Sequence, residues 1–214
     1  MTTLASMTMT SGFRPSAPLL QATDGNFYGT AQEGGTSDLG TIFKVTPGGI
    51  LTTLHSFTGT DGEKSIGALI QATDGNLYGT TSFGGSIGGG TVFKITLGGT
   101  LTTLASLPYT AGFGPSAGLI QASDGNFYGT TAQNGSTNDG FVFKITPTGA
   151  LTMLHTFDGA DGEYSVASLV QATNGTLYGT NYYGAPSNCS SGCGTIFSLS
   201  GVVSADVATS AESK

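Results

Sequence analysis

Positive charge is scarce in this chain. Lys and Arg together number 6 of 214 residues against 13 Asp and Glu, giving a net charge of −7 and a pI near 4.4. Phosphate recognition needs clustered cations, so nucleic acid is not an expected partner, and neither is an anionic membrane surface. Long apolar runs are also missing; none approaches the ~18 residues of a membrane-spanning helix. The first residues, MTTLASMTMT, have no basic region and no apolar core and do not read as a secretory signal. The chain is therefore expected to be cytoplasmic or to have lost a leader. Cysteine occurs only at Cys189 and Cys193, in NCSSGCG. Two thiols with no His beside them make a poor zinc site, so the pair reads as a local disulfide or as free thiols. No G-x-S-x-G elbow occurs. Glycine-rich stretches such as GGSIGGG lack the Lys of a phosphate-binding loop. Cations, neutral sugars and neutral small molecules remain as compatible ligands.

What the chain does have is glycine, 36 residues of it, and repetition. QATDGNFYGT at 21 returns as QATDGNLYGT at 71, QASDGNFYGT at 121 and QATNGTLYGT at 171. A fixed period near 50 residues is the mark of a repeat architecture. Within the second repeat, SIGALIQA (65–72), NLYGTTS (76–82), TVFKIT (91–96) and TLTTLASL (100–107) are short β-prone runs bounded by Gly, Asp or Asn. Asp74-Gly75 suits a turn with positive φ. Four strands per repeat predict an all-β fold, a β-propeller of four four-stranded blades, with strand A innermost and strand D at the rim. The segment MTTLAS near the N-terminus matches LTTLAS at 101–106, and the last repeat lacks its own strand D. Residues 1–10 are thus expected to complete the last blade and close the ring, which removes sheet edges. The swap works in cis, giving a monomer, or in trans, giving an eight-bladed ring of two chains. Residues 1–200 read as one domain and 201–214 as a flexible tail.

At DGNLYGTT…GGGTVFKIT…LTTL the chain resembles the GloVer-type (Gloeobacter–Verrucomicrobium) tandem-repeat proteins, through all four repeats. That resemblance implies bacterial, often exported proteins, extracellular or periplasmic, with no generally agreed activity. The order of DGN-aromatic, GG-loop, strand, T-x-x-G and strand is similar, more loosely, to propellers of the streptogramin-lyase and gluconolactonase kind. These open lactone or related ester bonds with a divalent cation. The likeness is one of fold grammar and carries over no catalytic residue.

The repeats alternate. The junctions MTMTSGFRPSAP and LPYTAGFGPSAG differ from FTGTDGEKSIGA and FDGADGEYSVAS, so a pair of repeats is duplicated with a 100-residue superperiod. Residues 100 apart would face each other across a four-bladed ring. Asp61 with Glu63, and Asp161 with Glu163, are thereby expected around one acidic mouth, where several oxygens suit calcium. In that arrangement Asp61 and Asp161 hold Ca2+, and Glu63 or Glu163 acts as ligand or general base. The competing reading makes DG a turn and Glu a solvated loop residue. His55 and His155 are candidate catalytic groups by the same symmetry. Both lie on strand D, however, where Ala5 and Ala105 occupy the same place in the other repeats. Tyr182, Tyr183, Tyr164 and Phe83 are candidates to shape a pocket for a sugar or small apolar ligand; Phe13 and Phe113 read as cover for blade junctions. Recurrent Asp24, Asp74, Asp124 and Asn174 read as turn residues. Two functions fit: a divalent-cation-dependent hydrolase of small lactones or esters, acyl-homoserine lactones included, and a non-catalytic extracellular propeller binding glycans or proteins.

Overall fold

A computed structural model describes residues 1–109, 112–184 and 193–203. Among these there is no helix. Four antiparallel sheets follow one another along the chain. Blade 1 comprises β1 (Leu20–Gln21), β2 (Phe27–Ala31), β3 (Thr41–Val45) and β4 (Leu51–Ser56). Blade 2 repeats this as β5 (Ile70–Gln71), β6 (Leu77–Thr81), β7 (Thr91–Ile95) and β8 (Leu101–Ser106). Blade 3 has β9 (Ile120–Gln121), β10 (Phe127–Thr130), β11 (Phe141–Ile145) and β12 (Leu151–Thr156). Blade 4 has three strands, β13 (Val170–Gln171), β14 (Leu177–Asn181) and β15 (Thr195–Leu199).

The repeated decapeptide builds the seams of this array. In blade 2 the Asp74 carboxylate accepts the Asn76 backbone N–H at 3.0 Å and the Asn76 side chain at 2.9 Å, while Gly75 turns the chain at φ +80°. The same carboxylate receives the Tyr78 hydroxyl at 2.8 Å and Lys94 at 3.2 Å. Tyr78 is thereby fixed between blades, stacked on Phe127 of blade 3 with ring centroids 4.1 Å apart. Each Gln closes the seam behind it: Gln71, Gln121 and Gln171 accept the backbone N–H of Thr23, Thr73 and Ser123 in the preceding blade, at 2.8, 2.9 and 3.0 Å. Three apolar clusters lie behind these stitches, one per seam between successive blades.

Two expectations need correction. Strand A is only two residues long in each blade, where the sequence pattern predicts about eight. Near the axis the inner segments converge on one another instead of pairing within their blade. A Cβ on Gly67 would lie 2.4 Å from the Ala117 carbonyl oxygen of blade 3. Nor is ring closure by the N-terminal strand seen. Among the described residues blade 4 has no fourth strand, and residues 1–10 form none; they lie against blade 1, with the Leu4 carbonyl over Gly49. Register explains the placement. Leu54 and Leu104 present their carbonyls in the same way to Gly99 and Gly149, so residues 1–10 hold the strand D position of a blade that would precede blade 1. The expected tail begins with structure: Tyr128 donates to the Val202 carbonyl at 3.0 Å and Val203 is buried at the seam of blades 3 and 4. Residues 204–214 lie outside the described residues, as does Cys189. Cys193 is disulfide-bonded.

Candidate functional site

The face carrying the D–A junctions and the B–C loops is built from one device used in every blade. Isolated antiparallel bridges join Phe13 to Glu33, Glu63 to Phe83 and Glu163 to Tyr183. In blade 3 the Gln133 N–H donates to the Phe113 carbonyl at 2.8 Å in the same place. Residues directly opposite in an antiparallel pair project to one side, with Cβ atoms about 5 Å apart. Each blade therefore sets one aromatic ring beside one carboxylate or amide. The order flips from aromatic-first in blades 1 and 3 to acid-first in blades 2 and 4, which is the structural meaning of the 100-residue superperiod.

The residue after each bridge is held in an unusual backbone state. Arg14, Lys64 and Tyr164 are non-glycine residues at φ +57°, +54° and +62°. Such left-handed residues are uncommon and persist when their surroundings over-determine them. Here the surroundings are the preceding blade: the Lys64 N–H donates to the Leu39 carbonyl at 2.9 Å and the Tyr164 N–H to that of Asp139 at 3.2 Å.

The four positions carry different chemistry. Glu33 is neutralised by Arg14 at 2.5 Å. Glu63 has Lys64 at 3.8 Å, and that ammonium sits 5.5 Å from the centre of the Phe83 ring. Phe83 in turn packs edge-on against Phe113, with centroids 5.1 Å apart. Glu163 has no ion-pair partner among the described residues. Beside it Tyr182 and Tyr183 meet edge to face at 4.7 Å, and Tyr164 lies 6.5 and 6.0 Å from them. Tyr182 is 62% exposed and Tyr183 37%. The structure thus brings Glu163, Tyr164, Tyr182 and Tyr183 together, and separately Glu63 with Phe83. The pairing of bridge partners 20 residues apart is present in the sequence, but finding it requires the register of junction against loop.

Asp61, Asp161 and the histidines are placed elsewhere. His55 Nε2 donates to the Asp61 carboxylate at 2.7 Å, and His155 Nε2 to that of Asp161 at 2.5 Å. Both histidines belong to the outermost strands, β4 and β12, and each ties the aspartate of the following junction to its strand. Asp61 also accepts the Thr58 N–H at 2.8 Å, and Asp161 that of Asp158 at 3.1 Å. Burial works to raise the Asp61 pKa, but the Thr58 N–H and the His55 hydrogen bond outweigh it and hold the carboxyl below its ordinary value. Each imidazole rests edge-on against a buried Phe, His55 on Phe57 and His155 on Phe157, at 5.3 and 5.2 Å. Within the chain His and Asp occur together or not at all: where Ala5 and Ala105 replace His, the following junction has no DG. This is the pattern of a clamp that pins the junction to the outer strand. Among the described residues no three His, Cys, Asp or Glu side chains are close enough to hold a metal ion. Among the described residues Asp61, Glu63, Asp161 and Glu163 form no such metal-holding group, and Asp61 and Asp161 are each bonded to a histidine of the outer strand.

Over residues 1–197 the sequence matches the Gloeobacter/Verrucomicrobia repeat. The chain belongs to that family. No curated protein matches its sequence. Solved propellers share the fold. A gluconolactonase from Xanthomonas campestris superimposes with a TM-score of 0.55 at 15% identity, over 92% of this chain and 62% of its own. A luciferin-regenerating enzyme gives 0.53 at 14% identity, over 86% and 61%. The PQQ-bound aldose sugar dehydrogenase from Streptomyces coelicolor gives 0.52 at 17%, over 83% and 59%. This repeat protein therefore spans about three-fifths of the length of the propellers it resembles.

Proposed function

We propose that this repeat protein is a glycan-binding propeller that works outside the cytosol. One observation carries the reading: Tyr164, Tyr182 and Tyr183 form an exposed aromatic surface directly beside Glu163, a carboxylate with no ion-pair partner among the described residues. Aromatic faces take the apolar side of a sugar ring, and a carboxylate accepts its hydroxyls. The scarcity of cations favours a neutral sugar over a phosphorylated one. The disulfide at Cys193 favours an oxidising compartment. The test is titration calorimetry with a panel of neutral oligosaccharides. Binding should weaken about tenfold or more, some 1.4 kcal/mol, in Tyr182→Ala and Tyr183→Ala, and also in Glu163→Gln. A panel without any binder, or a binder indifferent to all three variants, refutes the proposal.

A second reading is hydrolysis of small lactones or esters; the structurally similar Xanthomonas campestris protein is named a gluconolactonase. Glu163 favours it, since an unpaired carboxylate in a partly apolar setting can serve as general base. No three His, Cys, Asp or Glu side chains cluster among the described residues, so the carboxylate that this reading puts forward is Glu163. Lactone turnover, assayed with calcium and then with excess chelator, decides it; turnover that survives chelation and is lost in Glu163→Gln supports a metal-free hydrolase.

A further inference from the structure

The two ends of the blade array expose the two halves of a surface that the chain already uses three times. At each internal seam the trailing face of one blade meets the leading face of the next. Between blades 1 and 2 the trailing face supplies Ala22, Tyr28, Ile42 and Phe57, and the leading face Leu69, Leu77, Phe93 and Ile95. Tyr28, Tyr78 and Tyr128 are at most 1% exposed there, and Ile42, Val92 and Val142 are fully buried. In blade 4 the residues at the same register are Tyr178, which pairs with Val170, and Ile196, which lies opposite Thr180 as Ile42 lies opposite Thr30. They are bare: Val170 is 65% exposed, Tyr178 41% and Ile196 84%.

The other end is the complement. Leu19 on the leading face of blade 1 is 52% exposed, whereas Leu69, Leu119 and Leu169 are at most 4% exposed. Among the described residues, 1–10 lie over this face. They leave a cavity of about 420 Å³ between Leu4, Ala5 and Met7 on one side and Leu19, Phe43 and Val45 on the other. At the internal seam the counterparts of that lining pack against the Tyr and Ile of the preceding blade. Meanwhile, among the described residues, β15 has no partner strand on its outer edge, where every other blade carries strand D.

We propose that a second copy of this chain docks head to tail, blade 4 of one copy against blade 1 of the other. Tyr178, Ile196 and Val170 enter the cavity beneath the partner copy's N-terminal segment, and that segment adds to β15 as the fourth strand. Leu4 takes the role of Leu54 and Met7 that of Phe57, each 50 residues further on. The contact is heterologous, so two copies close a ring if the rotation permits and otherwise extend. The same strand addition removes the exposed edge of β15.

Sedimentation velocity tests this. The wild-type chain should form dimers or larger species that dissociate on dilution. Ile196→Glu destroys the blade 4 end and Leu4→Asp the blade 1 end; each alone should be monomeric, with an unchanged far-UV spectrum. An equimolar mixture of the two variants retains one intact contact and should give a two-chain species that grows no further. A wild-type chain that stays monomeric at all concentrations overturns the proposal, and leaves the ends to further repeats of a longer polypeptide. A dimer that both variants retain, or a mixture that stays monomeric, overturns it equally.

Discussion

Replacing Asp124 by Ala removes the hub of the blade 3 turn. Its carboxylate accepts four hydrogen bonds: from the Asn126 N–H at 3.1 Å, the Asn126 side chain at 2.8 Å, the Tyr128 hydroxyl at 2.9 Å and Lys144 at 3.1 Å. The Asp124 side chain is only 8% exposed, so water replaces few of these. Tyr128 keeps a second bond, to the Val202 carbonyl, which limits the loss. Hydrogen bonds to charged groups contribute about 1.5–3 kcal/mol each, and bonds sharing one acceptor do not add, so Asp124→Ala should cost about 2–4 kcal/mol. Asp124→Asn should cost about 1–2 kcal/mol, since it keeps an acceptor for the Asn126 N–H but strands Lys144. The chain itself contains the compensated version. Blade 4 has Asn174 at the Asp position and Ser198 at the Lys position, and the turn survives through the Thr176 N–H to Asn174 bond at 3.0 Å. Asp124→Asn combined with Lys144→Ser should therefore cost less than the sum of the single changes, by about 1 kcal/mol. Urea unfolding followed by tyrosine fluorescence reads this cleanly, because the chain has no Trp. An Asp124→Ala loss below about 0.5 kcal/mol, or strict additivity of the pair, would show that the repeated Asp is an ordinary surface turn residue.

Three further outcomes follow from the geometry. Gly79→Ala should cost about 1–3 kcal/mol by overpacking, because its Cβ would lie 2.6 Å from the tip of Phe93 and 2.8 Å from Leu69; Gly75→Ala, with nothing near it but φ at +80°, should cost about 1–2 kcal/mol through backbone strain alone, and thermal melts separate the two. Acid should destabilise the fold in a defined window: burial pushes Asp74 up, but Asn76, Tyr78 and Lys94 bring it down to about 2, so the unfolded chain binds the proton first and stability is lost as pH falls from about 4 toward that value. Asp24 and Asp124 are lowered in the same direction, and a urea midpoint that is flat across this range would contradict the assigned hydrogen bonds. Finally, His55→Ala and Asp61→Asn should each cost about 1 kcal/mol and be non-additive while leaving glycan affinity within twofold, whereas a large loss of binding at unchanged stability would return these residues to the site.

Local strand, turn and repeat structure is written plainly in the chain. The alternation of TVFKIT, the DG turns and the 50-residue period each follow from interactions within a blade, and each is found where the pattern places it. The place of His55 and His155 on strand D was also legible, since LTTLHSF and LTMLHTF align with LTTLASL. Three matters depend on contacts that repeat patterns do not encode. The inner strand is short where segments of different blades crowd one another, as the Ala117 carbonyl crowds Gly67. Asp61 is bonded to a histidine six residues earlier on the outer strand, a pairing that depends on which way both side chains turn. The N-terminal segment, whose sequence marks it as a strand D, packs on blade 1 and not on β15, so its register was readable and its partner was not. Hydrophobic period and turn chemistry act over a few residues and are carried by the sequence itself; which faces meet is settled by the curvature of the whole array, and only the tertiary structure holds that.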